Sequence, residues 1–205
     1  MLQATPAPDS SLFLSLFLER PMQQKKIWLV TGDPGSGKTT LISRIIFATR
    51  SEGFTVGGII TKEVREKGER TGFEIIDVAS TKKGSLASTK QSYGPRVGKY
   101  KVNLKDLAEI GSKALENALA SSDLIVCDEM GPMELFSPEF RRALQKVISS
   151  SKPVLGSIHK RLVDPLIEEI KTSPTVEVIE ITEENRSSVE KEIKDIILQL
   201  LRGTR

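Results

Sequence analysis

Gly32-Asp33-Pro34-Gly35-Ser36-Gly37-Lys38-Thr39 is the stretch on which the reading of this chain turns. It matches G-x-x-x-x-G-K-S/T, a loop that wraps phosphate groups. Glycines let the backbone close around an anion without Cβ clashes. Successive N–H groups and the N-terminus of a following helix then face the negative charge. Lys38 is placed to reach β- and γ-phosphates, and the Thr39 hydroxyl to coordinate Mg²⁺. Thr40 is counted with the loop.

The flanks decide between this motif and an incidental glycine-rich turn. Before it, Ile27-Trp28-Leu29-Val30 is a continuous apolar run of the kind that forms a strand buried on both faces. After it, Leu41, Ile42, Ile45, Ile46 and Ala48 fall at helical spacing over Thr39 to Arg50, and Gly53 follows as a stop. The order is strand, loop, helix, which is the frame the motif requires.

Further along, the same alternation recurs. Phe54 to Val64 reads as a second strand, and Phe73 to Val78 as a third. The polar segment Glu66–Gly72 between them is the turn of a β-hairpin. Residues 80–96 are rich in Ser, Thr, Lys and Gly and read as a loop, with a short strand at Val97 to Val102. Asn103 caps the next helix, with Asp106 as its capping-box partner. Leu124-Ile125-Val126-Cys127 is another buried strand. Ser137, Pro138 and Glu139 open a helix whose apolar residues run from Phe140 to Ile148. A strand at Pro153 to Ile158, a helix from Asp164-Pro165 to Ile170, a strand at Val176 to Ile181 and a C-terminal helix complete the chain. The expected fold is α/β, a mostly parallel doubly wound sheet with an added antiparallel hairpin.

The strand Leu124-Ile125-Val126-Cys127 ends in Asp128-Glu129 and runs on to Met130-Gly131. A buried strand ending in Asp is the Walker B pattern, and Asp128 is placed to hold Mg²⁺ beside Thr39. A carboxylate at Glu129 can polarise the water that attacks the γ-phosphorus, the general-base role. Its bland alternative is a solvated acid at the strand end. Cys127 reads as core packing. His159, the only histidine, follows the next strand, whose end faces the γ-phosphate in sheets of this class. His159, Lys160 and Arg161 are therefore candidate phosphate contacts, against the alternative of an ordinary surface loop.

Composition bounds the rest. The chain has 205 residues, a formal charge of +3 and a single cysteine. One Trp and two Tyr argue against an aromatic platform for single-stranded nucleic acid. The apolar run Leu12 to Leu18 is too short to span a membrane, and residues 1–11 carry no Lys or Arg, unlike a secretory signal. A soluble cytoplasmic protein without membrane partners is expected, and the lone cysteine fits a reducing compartment. Residues 1–24 read as a dispensable or disordered tail, with Met22 as an alternative start, or as a short amphipathic segment packed on the body, and residues 25–205 as the working domain. The charge is uneven. Residues 62–105 hold eleven Lys or Arg and five acids, a net +6, which leaves −3 for the remainder. Such a stretch lines a triphosphate mouth, touches nucleic acid phosphates, or is simply a solvated hairpin.

With both segments in place the chain resembles the THEP-type nucleoside-triphosphatases, relatives of the cancer-related nucleoside-triphosphatase of animals. The matching stretches are Gly32–Thr40, Gly57–Val78, Gly94–Val102, Asp128–Leu135 and Thr182–Arg186, with Met130 standing where the family usually has Ile. The resemblance implies a RecA-like P-loop fold in which one strand separates the two Walker strands. It also implies an Mg²⁺-dependent cleavage of ATP and other nucleoside triphosphates to diphosphate and phosphate, with broad base preference. Arg65, Arg70, Arg96 and Lys99 lie in the family's basic stretches and are further candidates for phosphate contacts. Two other readings stay open. A nucleotide or nucleoside kinase uses the same loops on a different acceptor, and a nucleic-acid-linked ATPase, the less favoured, uses the basic hairpin as its contact.

Overall fold

A computed structural model describes residues 25–204. The expectations for the tail and for Met22 lie outside the described residues. The elements are β1 (Ile27–Thr31), α1 (Lys38–Ser51), β2 (Val56–Glu66), β3 (Glu69–Asp77), β4 (Lys83–Ser88), β5 (Arg96–Val97) and β6 (Tyr100–Val102). They continue with α2 (Leu104–Asp106), α3 (Lys113–Ser121), β7 (Leu124–Met130), α4 (Pro138–Ser149), β8 (Val154–Ile158), α5 (Pro165–Thr172), β9 (Val176–Glu180) and α6 (Arg186–Gly203). A π-helical stretch, Leu107–Ser112, joins α2 to α3.

All nine strands form one sheet in the order β5-β6-β4-β3-β2-β7-β8-β1-β9. The run from β2 to β9 is parallel, and β3 to β6 add an antiparallel wing. The strand β8 separates β7 from β1, as the resemblance implies. Parallel strands must be covered on both faces, and their alternating side chains show how. Ile27 and Leu29 of β1 join a core with α3, α4 and α5, while Trp28 and Val30 point to the opposite core with α1 and α6.

Local signals hold at the helix ends. The Asp106 N–H donates to Asn103 Oδ1 at 3.2 Å, and the Phe140 N–H to Ser137 Oγ at 3.2 Å. Asp164 accepts the Leu166 N–H at 2.9 Å and pairs with Arg141 at 2.8 Å. Asp106 does not return a capping-box bond, because its carboxylate accepts the Ser85 N–H at 2.8 Å instead.

Three expectations need correction. The segment Glu66–Gly72 is strand except for Lys67-Gly68, whose φ values of 49° and 86° make a tight two-residue hairpin turn. The stretch 80–96 is not all loop, since Lys83–Ser88 forms β4. Its composition is poor for a strand, but β3 offers an open edge and Leu86 and Ala87 bury on pairing. Tertiary pairing outweighs propensity there. The short strand at Val97 to Val102 is a tight hairpin of β5 and β6.

Two topological facts position the site. The parallel strands β1, β7, β8 and β9 all end at one edge of the sheet. The strand β2 pairs with β7 only as far as Ile60 beside Asp128, then continues through Thr61–Glu66 against β3 alone. These residues add roughly 20 Å of extended chain beyond that edge.

Candidate active site

The loop between β1 and α1 builds a cradle. Gly32 (φ 148°) is held so close to the β9–α6 turn that a Cβ there would come within 2.5 Å of the Ile181 carbonyl oxygen. The Ser36 N–H donates to the Asp33 carbonyl at 3.1 Å, and the Leu41 N–H to Gly37 at 2.9 Å, which starts α1 on the loop's last residue. Gly32, Asp33, Pro34, Gly35, Ser36, Gly37, Lys38, Thr39 and Thr40 therefore form one turn at the N-terminus of a fourteen-residue helix. That places backbone donors and the positive helix end together. The Lys38 ammonium lies back along the loop, donating to the carbonyls of Gly32 at 2.9 Å and Asp33 at 3.1 Å.

The strand β7 brings the carboxylates. Leu124, Ile125, Val126 and Cys127 fill both cores, with Asp128 at the sheet edge and Glu129, Met130 and Gly131 just beyond. Asp128 is 1% exposed, and its Oδ1 accepts from Ser157 Oγ on β8. Burial pushes its pKa up, while the hydroxyls of Ser157 and Thr39 and the Lys38 ammonium pull it down. Thr39 and Asp128 thus face one another across the two segments. Asp128 Oδ2 is buried without a hydrogen-bond partner, and so is Ser36 Oγ in the loop. An orphaned carboxylate oxygen beside a threonine hydroxyl, all oxygen donors, fits a hard divalent cation such as Mg²⁺, which takes few protein ligands and completes its shell with phosphate and water.

Glu129 is half-buried. Burial raises its pKa first and the charge of Asp128 adds to that, while His159 and Lys38 act the other way. His159 follows β8, its N–H donating to the Met130 carbonyl at 3.3 Å. Lys160 bridges the cradle to β9, pairing with Asp33 at 3.2 Å and Glu180 at 2.7 Å. The Arg161 side chain is exposed beyond them.

The hairpin cations group elsewhere. Arg65 and Arg70 both bond Glu63, at 2.8 Å and 2.7 Å. Arg70 also donates to Tyr100 Oη at 3.0 Å and stacks 5.3 Å above Phe73. Lys99 lies 5.6 Å over the Tyr100 ring, and Arg96 bonds the Gly98 carbonyl at 2.8 Å. Among the described residues none of the four bonds a residue of the cradle.

Three residues at the site were given no role from sequence. Ser157 is a lone hydroxyl inside an apolar strand. Glu134 is an acid between Met133 and Leu135. It is 4% exposed, and its Oε2 accepts the Gly131 N–H at 3.1 Å, pinning the chain just after Glu129. Burial, reinforced by Glu129, raises its pKa to about 8. Arg186 is a base at a helix start, where acids are favoured, and it approaches Gly37. Each is out of keeping with its local surroundings, and that is the signal by which sequence could find it.

Between about pH 4.5 and 8 the folded chain holds a proton on Glu134 that the unfolded chain has released. Stability therefore falls as pH rises through that window, by at most about 1.4 kcal/mol per pH unit. Glu134→Gln keeps an acceptor for Gly131 and removes the titration. Melting curves from pH 5 to 8 are expected to fall less steeply in this variant than in the wild type. Parallel curves would refute the buried-acid assignment.

Cys127 is buried, and burial together with Glu134, Asp128 and Glu129 lifts its thiol well above the usual range. A native alkylation assay is expected to show no labelling until denaturant is added; rapid native labelling would contradict the core-packing role.

A phosphate cradle on a strand–loop–helix unit, facing a strand-end Asp-Glu pair one strand removed, defines a P-loop nucleotide-binding protein. Comparison with known proteins agrees. The family model described as NTPase matches residues 27–194. Nucleoside-triphosphatase THEP1 of Thermotoga petrophila is 45% identical over 175 residues, spanning 85% of this chain and 94% of that protein. The THEP1 of Methanothermobacter thermautotrophicus is 41% identical over 169 residues, spanning 82% and 94%. The crystal structure of THEP1 from Aquifex aeolicus superposes with a TM-score of 0.74 at 34% identity, covering 83% of this chain and 98% of that one. The solution structure of a human cancer-related nucleoside triphosphatase gives 0.71 at 34% identity, covering 88% and 99%. The chain belongs to this NTPase family. Among the described residues no helix is long and apolar enough to cross a membrane.

Proposed function

We propose that the chain is an Mg²⁺-dependent nucleoside-triphosphate hydrolase that converts a nucleoside triphosphate and water to the diphosphate and phosphate, with ATP and GTP both substrates. Glu129 carries the reading: a half-buried carboxylate at the strand end directly after the buried Asp128, with the charges of Lys38 and His159 acting on it. A second acid directly after the strand-end Asp favours activation of water over transfer to another acceptor, since many small-molecule kinases lack it. The loop N–H groups and Lys38 bind the β- and γ-phosphate oxygens and stabilise charge that builds there. Thr39 and Asp128 hold Mg²⁺, which when bound neutralises the phosphate oxygens. Glu129 orients water and accepts its proton as the water oxygen attacks the γ-phosphorus. The bond from that phosphorus to the β–γ bridging oxygen breaks, and the diphosphate leaves. Lys160, fixed between Asp33 and Glu180, supports the cradle's outer edge. The assigned groups recognise phosphates, which every nucleoside triphosphate carries, and that supports broad base preference. The buried lone Cys127 is in keeping with a cytoplasmic location.

A panel of ATP, GTP, CTP and UTP, assayed for phosphate release with Mg²⁺ and with chelator, tests the reading. Release from all four, lost with chelator, is expected. Labelled phosphate appearing on a nucleoside acceptor would favour the kinase, and stimulation by RNA that fades with salt would favour a nucleic-acid-linked enzyme.

A further inference from the structure

We propose that Arg186 holds the α-phosphate of the bound nucleoside triphosphate, an assignment that rests on the cradle being the triphosphate site. The turn that delivers Arg186 is fixed against that cradle. The Ile181 N–H donates to the Thr31 carbonyl at 2.7 Å, and the Ile181 carbonyl abuts Gly32. Thr182 and Asn185 bond each other reciprocally, the Thr182 N–H to Asn185 Oδ1 at 2.8 Å and the Asn185 N–H to Thr182 Oγ1 at 3.3 Å. The Asn185 side-chain amide also donates to the Glu180 carbonyl at 2.8 Å. From this shelf Arg186 reaches toward the loop, with Cδ and Nη1 each 3.6 Å from where a Cβ of Gly37 would sit.

Its charge is out of place unless an anion comes. Arg186 is exposed and forms no ion pair among the described residues. It opens an eighteen-residue helix, where a cation opposes the helix dipole. The N-terminus of α1 and Lys38 add further positive charge nearby. A local rule broken without a compensating contact is expected at functional sites, and here the break lies against the phosphate cradle.

The sheet order says which phosphate. Asp128 and Glu129 lie on the β7 side of the loop and Arg186 on the β9 side, with β8 and β1 between. With the γ-phosphate at Glu129, the row of phosphates runs toward β9 and brings the α-phosphate to Arg186. A guanidinium fork matches two non-bridging phosphate oxygens. Every nucleoside triphosphate carries that group, so the contact adds affinity without reading the base.

The test uses the full chain. Arg186→Ala is expected to raise KM for ATP, GTP, CTP and UTP alike, by about tenfold or more, the worth of a charge-assisted hydrogen bond. Turnover at saturation is expected to stay within about twofold, because the γ-phosphate chemistry is untouched. Arg186→Lys is expected to recover part of the loss, and competitive inhibition by inorganic tripolyphosphate to weaken alongside KM. An unchanged KM overturns the assignment. So does a loss that Lys does not recover and that spares tripolyphosphate, which would mean stacking on the base. Lys38→Ala run in parallel separates the two readings. If that variant keeps wild-type affinity, the cradle itself is not the site and both fall. If it loses affinity while Arg186→Ala does not, only Arg186 is wrongly assigned.

Discussion

Glu129→Gln is expected to bind nucleotide as the wild type does and to lose most turnover, about 10²- to 10⁴-fold. The substitution keeps shape and hydrogen-bonding capacity and removes only the ability to accept a proton. Among the described residues Glu129 forms no hydrogen bond or ion pair with the cradle, and Gln keeps its shape, so affinity for a diphosphate should be preserved. Its environment also sets the pH behaviour. Burial and Asp128 raise its pKa, and the base works only when ionised. Turnover of the wild type is therefore expected to rise with pH through that raised value, and the Gln variant to lack this limb. Steady-state phosphate release across pH, paired with calorimetric binding of the diphosphate, checks both halves. Wild-type-like release by the variant would remove Glu129 as the base.

Lys38→Ala is expected to reduce turnover by about 10³-fold and to weaken triphosphate binding as well. The ammonium is the one side-chain cation that the strand–loop–helix frame sets inside the loop. Without substrate it is satisfied by the carbonyls of Gly32 and Asp33. These bonds are weak holding contacts that a phosphate can replace. Losing the charge removes stabilisation where negative charge builds in the transition state, worth about 3–4 kcal/mol in a water-poor site. The fold itself does not depend on this side chain, so the melting temperature is expected to stay within a few degrees. Kinetics and a thermal melt on the same preparation separate the two. A folded variant with normal kcat/KM would refute the role of Lys38.

The candidate site was legible to different depths. The glycine-rich loop and the Asp128–Glu129 pair are local patterns, and the structure brings them together across one intervening strand. His159 and Lys160 were legible as a strand-end pair, and both lie at the site: His159 acts on Glu129, and Lys160 pairs with Asp33. The hairpin cations Arg65, Arg70, Arg96 and Lys99 are nominated by local charge and by their place in the family's basic stretches. Charge counts cannot tell that Glu63 already engages Arg65 and Arg70, or that Arg70 and Lys99 pack on Tyr100. Ser157 and Arg186 meet Asp128 and Gly37, both remote in sequence, and Glu134 meets the nearby Gly131 only because burial turns its carboxylate back on the chain.

The same division runs through the fold. Helix caps at Asn103 and Ser137, the helix opening at Asp164-Pro165, the buried strands β1 and β7, and the phosphate loop follow from sequence alone. They depend on side chains meeting backbone groups only a few residues away, and on apolar periodicity. The strand β4, the extension of β2 past its pairing with β7 and the approach of Arg186 to Gly37 were decided only by tertiary structure. Each needs a partner from a remote segment: β3 for the polar strand, the turn at Lys67-Gly68 for the extended hairpin, and the shelf at Ile181–Asn185 for the arginine. Local chemistry sets what a segment can do, and the distant surface that covers, pairs or neutralises it sets what it does.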